Sequence, residues 1–289
     1  MLLRSCRLNV PMRIVLLASL FTACSNEQMA EHPPATANGR TIRCAVVGGL
    51  ADTGLWQELG EQFTATSGHR VEIAARGPKH IVVPELRRGH AHLLAVHACD
   101  AVINAVADGQ AVDPQPWARN DFVIVGPPDD PAEIQNLEDA SEALRRIIAS
   151  RSKLLVHASH GAMEVLHDLL ESAQLQLDAE HTLVRLEDRH RQMLMVAGKE
   201  GAYTIVGRIP FLSGKLPKQD LAIMVQGDPR LRRPYVVVVA NDQSLDPQDL
   251  AAARQFASYL RSPAAQEFIA EYGHGRYDDR PLFFPVVVE

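Results

Sequence analysis

Asp121-Phe122-Val123-Ile124-Val125-Gly126-Pro127-Pro128 is an apolar run with a proline stop, and Pro234-Tyr235-Val236-Val237-Val238-Val239-Ala240-Asn241 is its counterpart late in the chain. Near-continuous apolar strands are strands buried on both faces, as in the centre of an α/β sheet. The elements before the first run alternate. Ile42–Val47 reads as a strand ending in Gly48-Gly49, Leu55, Leu59 and Phe63 mark a helix that Gly68 closes, and Val71–Ala74 is a second strand. A short helix around Leu86 and a strand over His92–Val96 follow. This order predicts parallel pairing. Between the two long runs the pattern predicts a helix over residues 132–150, strands at 153–156, 202–205 and 221–225, and helices at 163–173 and 192–200. The C-terminal part is helical, with Phe256, Tyr259, Leu260, Phe268 and Ile269 on one face.

The long runs sit where a chain would leave one α/β lobe and later return. The expected organisation is lobe I from 41–124 and 240–289, and lobe II from 125–239, joined by a two-strand hinge. Each lobe would be a mixed or parallel sheet flanked by helices. Ligands of open α/β sheets sit beyond the carboxyl ends of the strands, so two such edges would face one another across a cleft that closes.

The chain has 289 residues, 22% of them charged, and a net charge of -6. Nothing there calls for nucleic acid, which needs a basic face. Arg4, Arg7 and Arg13 precede the apolar run Ile14–Phe21, and Thr22-Ala23-Cys24 follows. This reads as a secretory signal over 1–24, with Cys24 placed as a lipidation site and Met12 as an alternative start. Residues 25–40 read as a flexible tether. The expectation is a membrane-anchored lipoprotein of the periplasm or cell envelope, monomeric, with Cys44 and Cys99 as free thiols.

Several segments together resemble the tungstate-binding proteins of ABC importers, a branch of the type II periplasmic binding proteins. They are Asp52-Thr53-Gly54-Leu55, the stretch from Arg87 to Ala98, Asn120 to Pro127, Ala202-Tyr203-Thr204, and Gln226 to Leu231 with Pro234-Tyr235. The resemblance implies the two-lobed fold, a clamshell mode of binding and an ABC permease as partner. It does not carry the ligand over. Val46-Val47-Gly48-Gly49 stands where that family has a Thr-Thr-Thr-Ser run, and Gly77-Pro78-Lys79-His80 where it has Gly-Thr-Gly-Gln. Val156–Ala162 replaces an Arg-Gly-Asp-Asp-Ser-Gly-Thr loop, and Asp188-Arg189-His190-Arg191-Gln192 a glycine-rich one.

The altered loops are cationic, and the candidate ligand-binding residues lie on them. Gly48, Gly49 and Thr53 follow the first strand, where backbone N–H groups either cradle an anion or simply make a tight turn. Arg76, Lys79 and His80 follow the second strand. His157, Ser159 and His160 precede one helix, and Arg189, His190 and Arg191 another. Arg grips carboxylate or phosphate through paired hydrogen bonds, so a small anion is the expected guest. Asp52 reads as a helix cap. A divalent metal on the histidines is an alternative, as is a sensor or a degenerate relative that no longer closes. No Gly-x-Ser-x-Gly elbow, Walker loop or His-Glu-x-x-His occurs, and no carboxylate clearly orients Ser159 with His157 or His160. A non-enzyme without cofactor is expected.

Overall fold

The computed structural model describes residues 39–157, 159–186, 190–216 and 218–287, with the backbone alone at 160, 190 and 191. The expected signal segment, Cys24 and the expected tether up to residue 38 lie outside the described residues. Arg40, at the end of that tether, is held in the fold: its guanidinium pairs with Asp246 and, at 2.6 Å, with Asp249.

The first region opens with β1 (Thr41–Val47), the single-turn α1 (Gly48–Asp52) and α2 (Leu55–Ser67). It continues through β2 (Arg70–Gly77), α3 (Lys79–Arg87), β3 (Leu93–His97) and α4 (Asp100–Ala107). Gly54 and Gly68 bracket α2 with φ of 88° and 75°, a left-handed backbone in which a side chain would be strained. β1 pairs parallel with both β2 and β3, as the alternation predicts.

Next comes β4 (Ala111–Gly126), a 16-residue strand of which only the second half was legible as one. Pro114 and Pro116 obscure the first half, since proline cannot donate to a ladder and belongs at irregularities. The register against its partner slips at both places. The chain then forms α5 (Ala140–Ala149), β5 (Leu154–His157), α6 (His160–Ser172), β6 (Thr182–Arg185), α7 (His190–Glu200), β7 (Thr204–Gly207), α8 (Arg208–Leu212) and β8 (Ala222–Val225). α5 starts eight residues later than expected. Glu133 and Asn136 sit at φ of 54° and 64°, and Asp139 caps the helix, its carboxylate accepting from the N–H groups of Ser141 and Glu142 at 2.8 and 2.9 Å. β9 (Arg232–Ala240) returns, and α9 (Pro247–Tyr259) and α10 (Pro263–Glu271) close the chain. Both helices start with proline behind a capping Asp246 or Ser262.

The main sheet runs β2-β1-β3-β9-β4-β7, with β8 also on β4 and with β5-β6 as a separate parallel pair. β9 is antiparallel to β3 and to β4, so the sheet is mixed. β4 is its pivot. Up to Asp121 it pairs with β9, and from Phe122 onward with β7 and β8.

The buried side chains divide at the same place. A first core gathers β1, β3, α2, α9 and α10 with Trp117, Ala118, Tyr235 and Val237–Ala240, centred on Trp56 edge-on to Trp117 and Phe256 at 5.6 and 5.3 Å. Beyond Ala118, Phe122 and Ile124 face a second core while Val123 and Val125 face a third. β4 is thus buried on both faces there, as its composition implies. Val237, Val238 and Val239 pack with the first core. Cys44 and Cys99 are free thiols, Cys44 buried.

Candidate functional site

A cavity of about 600 Å³ lies against β4 and β9, with walls from all three cores. Strand alternation decides what enters it. On β4, Asn120 and Phe122 line the cavity and Asp121 does not. On β9, Arg233 and Tyr235 line it, and Arg232 does not. The register sets Asn120 opposite Arg233 and Ala118 opposite Tyr235, so these side chains share one face.

The polar groups form a connected set. His97, at the end of β3, stacks on Tyr235 at 4.1 Å between ring centroids. Its Nε2 lies 3.1 Å from Asn120 Oδ1. Burial, helped by Arg233 and Lys79, pushes the His97 pKa down to about 3, so the ring is neutral. Its Nε2–H then donates to Asn120, whose amide NH₂ remains as a donor. The Tyr235 hydroxyl is buried and has no hydrogen-bond partner among the described residues. Burial raises its pKa, so it stays protonated. It points at the turn after β1: a Cβ built on Gly49 would lie 3.2 Å from it. Arg233 spreads over the Phe122 ring at 5.5 Å and reaches Glu164 at 3.3 Å. A Cβ on Gly161 would fall on its guanidinium, so the glycine in the first turn of α6 is what lets Arg233 lie there.

The expected residues divide. Gly48, Gly49, Thr53 and Ser159 do line the cavity, from β1–α1 on one side and the start of α6 on the other. The first N–H groups of a helical turn have no partner within it, and Gly48 and Gly49 hold that position in α1. Ser159 is the N-cap of α6, yet its hydroxyl makes no capping bond. The Thr53 hydroxyl is occupied, donating to Gly49 O at 2.8 Å. Asp52 caps no helix start, since it ends α1 and Gly54 precedes α2. It pairs instead with Lys215 and, at 3.8 Å, with Arg76.

Arg76, Lys79 and His80 are not in the cavity wall. Arg76 and His80 are exposed, and Lys79 acts through its charge on His97. His157 is buried and turned inward. Its Nε2 lies 2.8 Å from Ile205 O, and its Nδ1 accepts from the Ser159 N–H at 3.3 Å. It shapes the turn into α6 and is not placed to hold a guest. The backbones of His160, and of His190 and Arg191, open α6 and α7. Arg189 lies outside the described residues. Among the described residues the one trio spaced for a metal is Asp178, Glu180 and His181, which contains none of the expected histidines.

Sequence reasoning looked to loops and missed His97, Asn120, Arg233, Tyr235 and Lys215. The signal for three of them was present: a polar residue two positions from an aromatic one, Asn120-x-Phe122 and Arg233-x-Tyr235, beside each long apolar run. A cavity that offers one well-held guanidinium, an amide, a hydroxyl and backbone N–H groups is chemically suited to an anion.

Comparison with known proteins agrees with the motifs. A profile of bacterial extracellular solute-binding proteins matches residues 42–274. A Haloferax volcanii protein assigned as the anion-binding protein of an ABC transporter is 29% identical over 271 residues, 90% of this chain and 78% of that protein. The tungstate-binding protein TupA of Peptoclostridium acidaminophilum is 28% identical over 284 residues, 96% of this chain and 97% of that one. The solved tungstate-binding protein TupA of Desulfovibrio alaskensis G20 superposes with a TM-score of 0.69 at 23% identity, covering 86% of this chain and all of that one, and shows the same fold. That fold is the two-lobed α/β arrangement of type II periplasmic binding proteins, and the chain belongs to the bacterial extracellular solute-binding protein family.

Proposed function

We propose that the protein is the extracytoplasmic receptor of an ABC importer and captures a small anion in the cavity at the β4–β9 crossing, without catalysing a reaction. In this reading the crossing is the hinge between two lobes, with Gly48 and Gly49 contributed from one and Ser159 from the other. Cys24 is the lipid anchor, residues 25–40 are the tether to the fold, and the receptor works as a monomer that delivers its guest to a permease. The relatives' names support transport and an anion.

The observation that carries the site is the Tyr235 hydroxyl, a buried donor without a partner among the described residues, beside Arg233 and Asn120. A buried donor left unmade is costly, and an anion at this position would take it up. The metal reading is weakened by His157, which is turned to Ile205.

Titration calorimetry of the purified chain against a panel of inorganic oxyanions and carboxylates tests the proposal. At least one anion should bind, and Arg233→Met should weaken it by a factor of about 10 to 150 while the circular dichroism spectrum is unchanged. Binding of no anion, or binding indifferent to Arg233, would defeat it.

A further inference from the structure

The dimensions and lining of the cavity bear on the class of anion. A bare tetrahedral oxyanion is four oxygens around one centre and needs donors on every side. A water-sized group needs roughly 10–15 Å³ of such space, so four oxygens need about 60 Å³. The cavity holds about 600 Å³. Much of its wall is apolar: Val47, Phe122, Ile209 and Leu216 are in it and buried, and Pro210 is in it and half-buried. A wide apolar chamber with a few placed polar groups suits an organic ligand.

The polar groups are concentrated on the two crossing strands. Arg233, Asn120 and the Tyr235 hydroxyl come from paired positions of β4 and β9. The charge is also limited. Lys215 lines the cavity but is paired with Asp52, which also lines it, so those two cancel. His97 is neutral. Among the described residues of the wall Arg233 remains, and the carboxylate it meets, Glu164, is 64% exposed at 3.3 Å and therefore well solvated. A single planar guanidinium laid over an aromatic ring presents paired N–H groups to a carboxylate, and one uncompensated positive charge matches a monoanion.

We propose that the ligand is an organic monocarboxylate with an apolar body, its carboxylate held by Arg233, Asn120 and Tyr235 and its body lying along Phe122, Ile209 and Leu216. This rests on the reading of the cavity as an anion receptor site and specifies its guest.

The experiment is calorimetry on the full chain with two sets of probes: the linear series acetate, butyrate and hexanoate with phenylacetate as the aromatic case, and tungstate, molybdate and sulfate. Each methylene taken out of water gains about fourfold in affinity, so hexanoate should bind roughly 100-fold or more tighter than acetate. All the carboxylates should outcompete tungstate at equal concentration. Arg233→Met should weaken every carboxylate by a similar factor and leave the dependence on chain length intact, while Arg233→Lys should recover part of the loss. A flat series with tungstate bound tightly would overturn this inference and leave the anion-receptor reading standing. Binding of neither set would overturn both.

Discussion

Replacing Gly161 with alanine tests the seat of Arg233 without touching Arg233. Gly161 is the second residue of α6. A Cβ there would lie 3.0 Å from Arg233 Nε, and nearer still to Cζ and Nη1. Ordinary carbon contacts start near 3.5 Å, so the guanidinium must move by an ångström or more. What moves is the far end of a flexible side chain, so folding should not suffer. Alanine is favoured over glycine inside a helix by about 0.5–1 kcal/mol, and the melting temperature should hold or rise. The guanidinium, however, leaves its place over Phe122 at the cavity wall. A hydrogen bond to a charged partner contributes about 1.5–3 kcal/mol, which is a factor of about 10 to 150 in affinity. Calorimetry with the best-binding anion should show that loss in Gly161→Ala, and a double-mutant cycle with Arg233→Met should show that the two losses do not add. Unchanged affinity in Gly161→Ala, or full additivity, would refute the reasoning.

Tyr235→Phe removes a buried hydroxyl that has no partner, so the ligand-free protein should gain about 1 kcal/mol while anion affinity falls; a lower melting temperature without ligand would show that the hydroxyl is already satisfied. Asp121 is buried, and burial outweighs Arg208, Arg280 and Arg232 in raising its pKa to about 6. The folded state therefore binds this proton more strongly than the unfolded chain, and the stability it contributes at low pH is lost as pH rises through about 6. A shift of about two pH units corresponds to about 3 kcal/mol. The loss begins near the unfolded value of 3.8 and is complete above about 6, so urea titrations at pH 5 and pH 8 should show wild type losing about half of it, about 1.5 kcal/mol, relative to Asp121→Asn, and a pH-independent difference would contradict it. Trp56→Ala removes the indole packed on Trp117 and Phe256 and should cost about 3–5 kcal/mol, read as a lower urea midpoint; a loss below 1 kcal/mol would mean that the first core is not centred there.

The order of strands and helices before Asp121 was legible because each of those elements carries its own period. α4 was passed over, and β4 was read only from Asp121, since Pro114 and Pro116 argue locally against a strand that tertiary pairing supports. The wall of the candidate cavity was legible in part. Gly48, Gly49 and Ser159 announce themselves as loop residues beside a strand or helix end. Asn120 and Arg233 do not, because their role depends on a register between residues more than a hundred positions apart, which no local pattern encodes. His157 misled for the opposite reason: a histidine in a loop looks available, and only the fold turns its Nε2 toward Ile205.

The alternation on β4 and β9 limits how this receptor can diversify. Asn120 and Phe122 enter the cavity, and Asp121 between them stands near Arg208 at 4.0 Å. Across the ladder, Arg233 and Tyr235 enter while Arg232 lies over Phe284 at 4.3 Å. Inserting or deleting one residue in either strand would exchange the two faces, delivering Asp121 or Arg232 to the guest and stranding the phenyl and phenol rings among charges. New ligand preferences are therefore reachable by point changes within this frame or by rewriting the segments around it, and not by shifting the strands themselves.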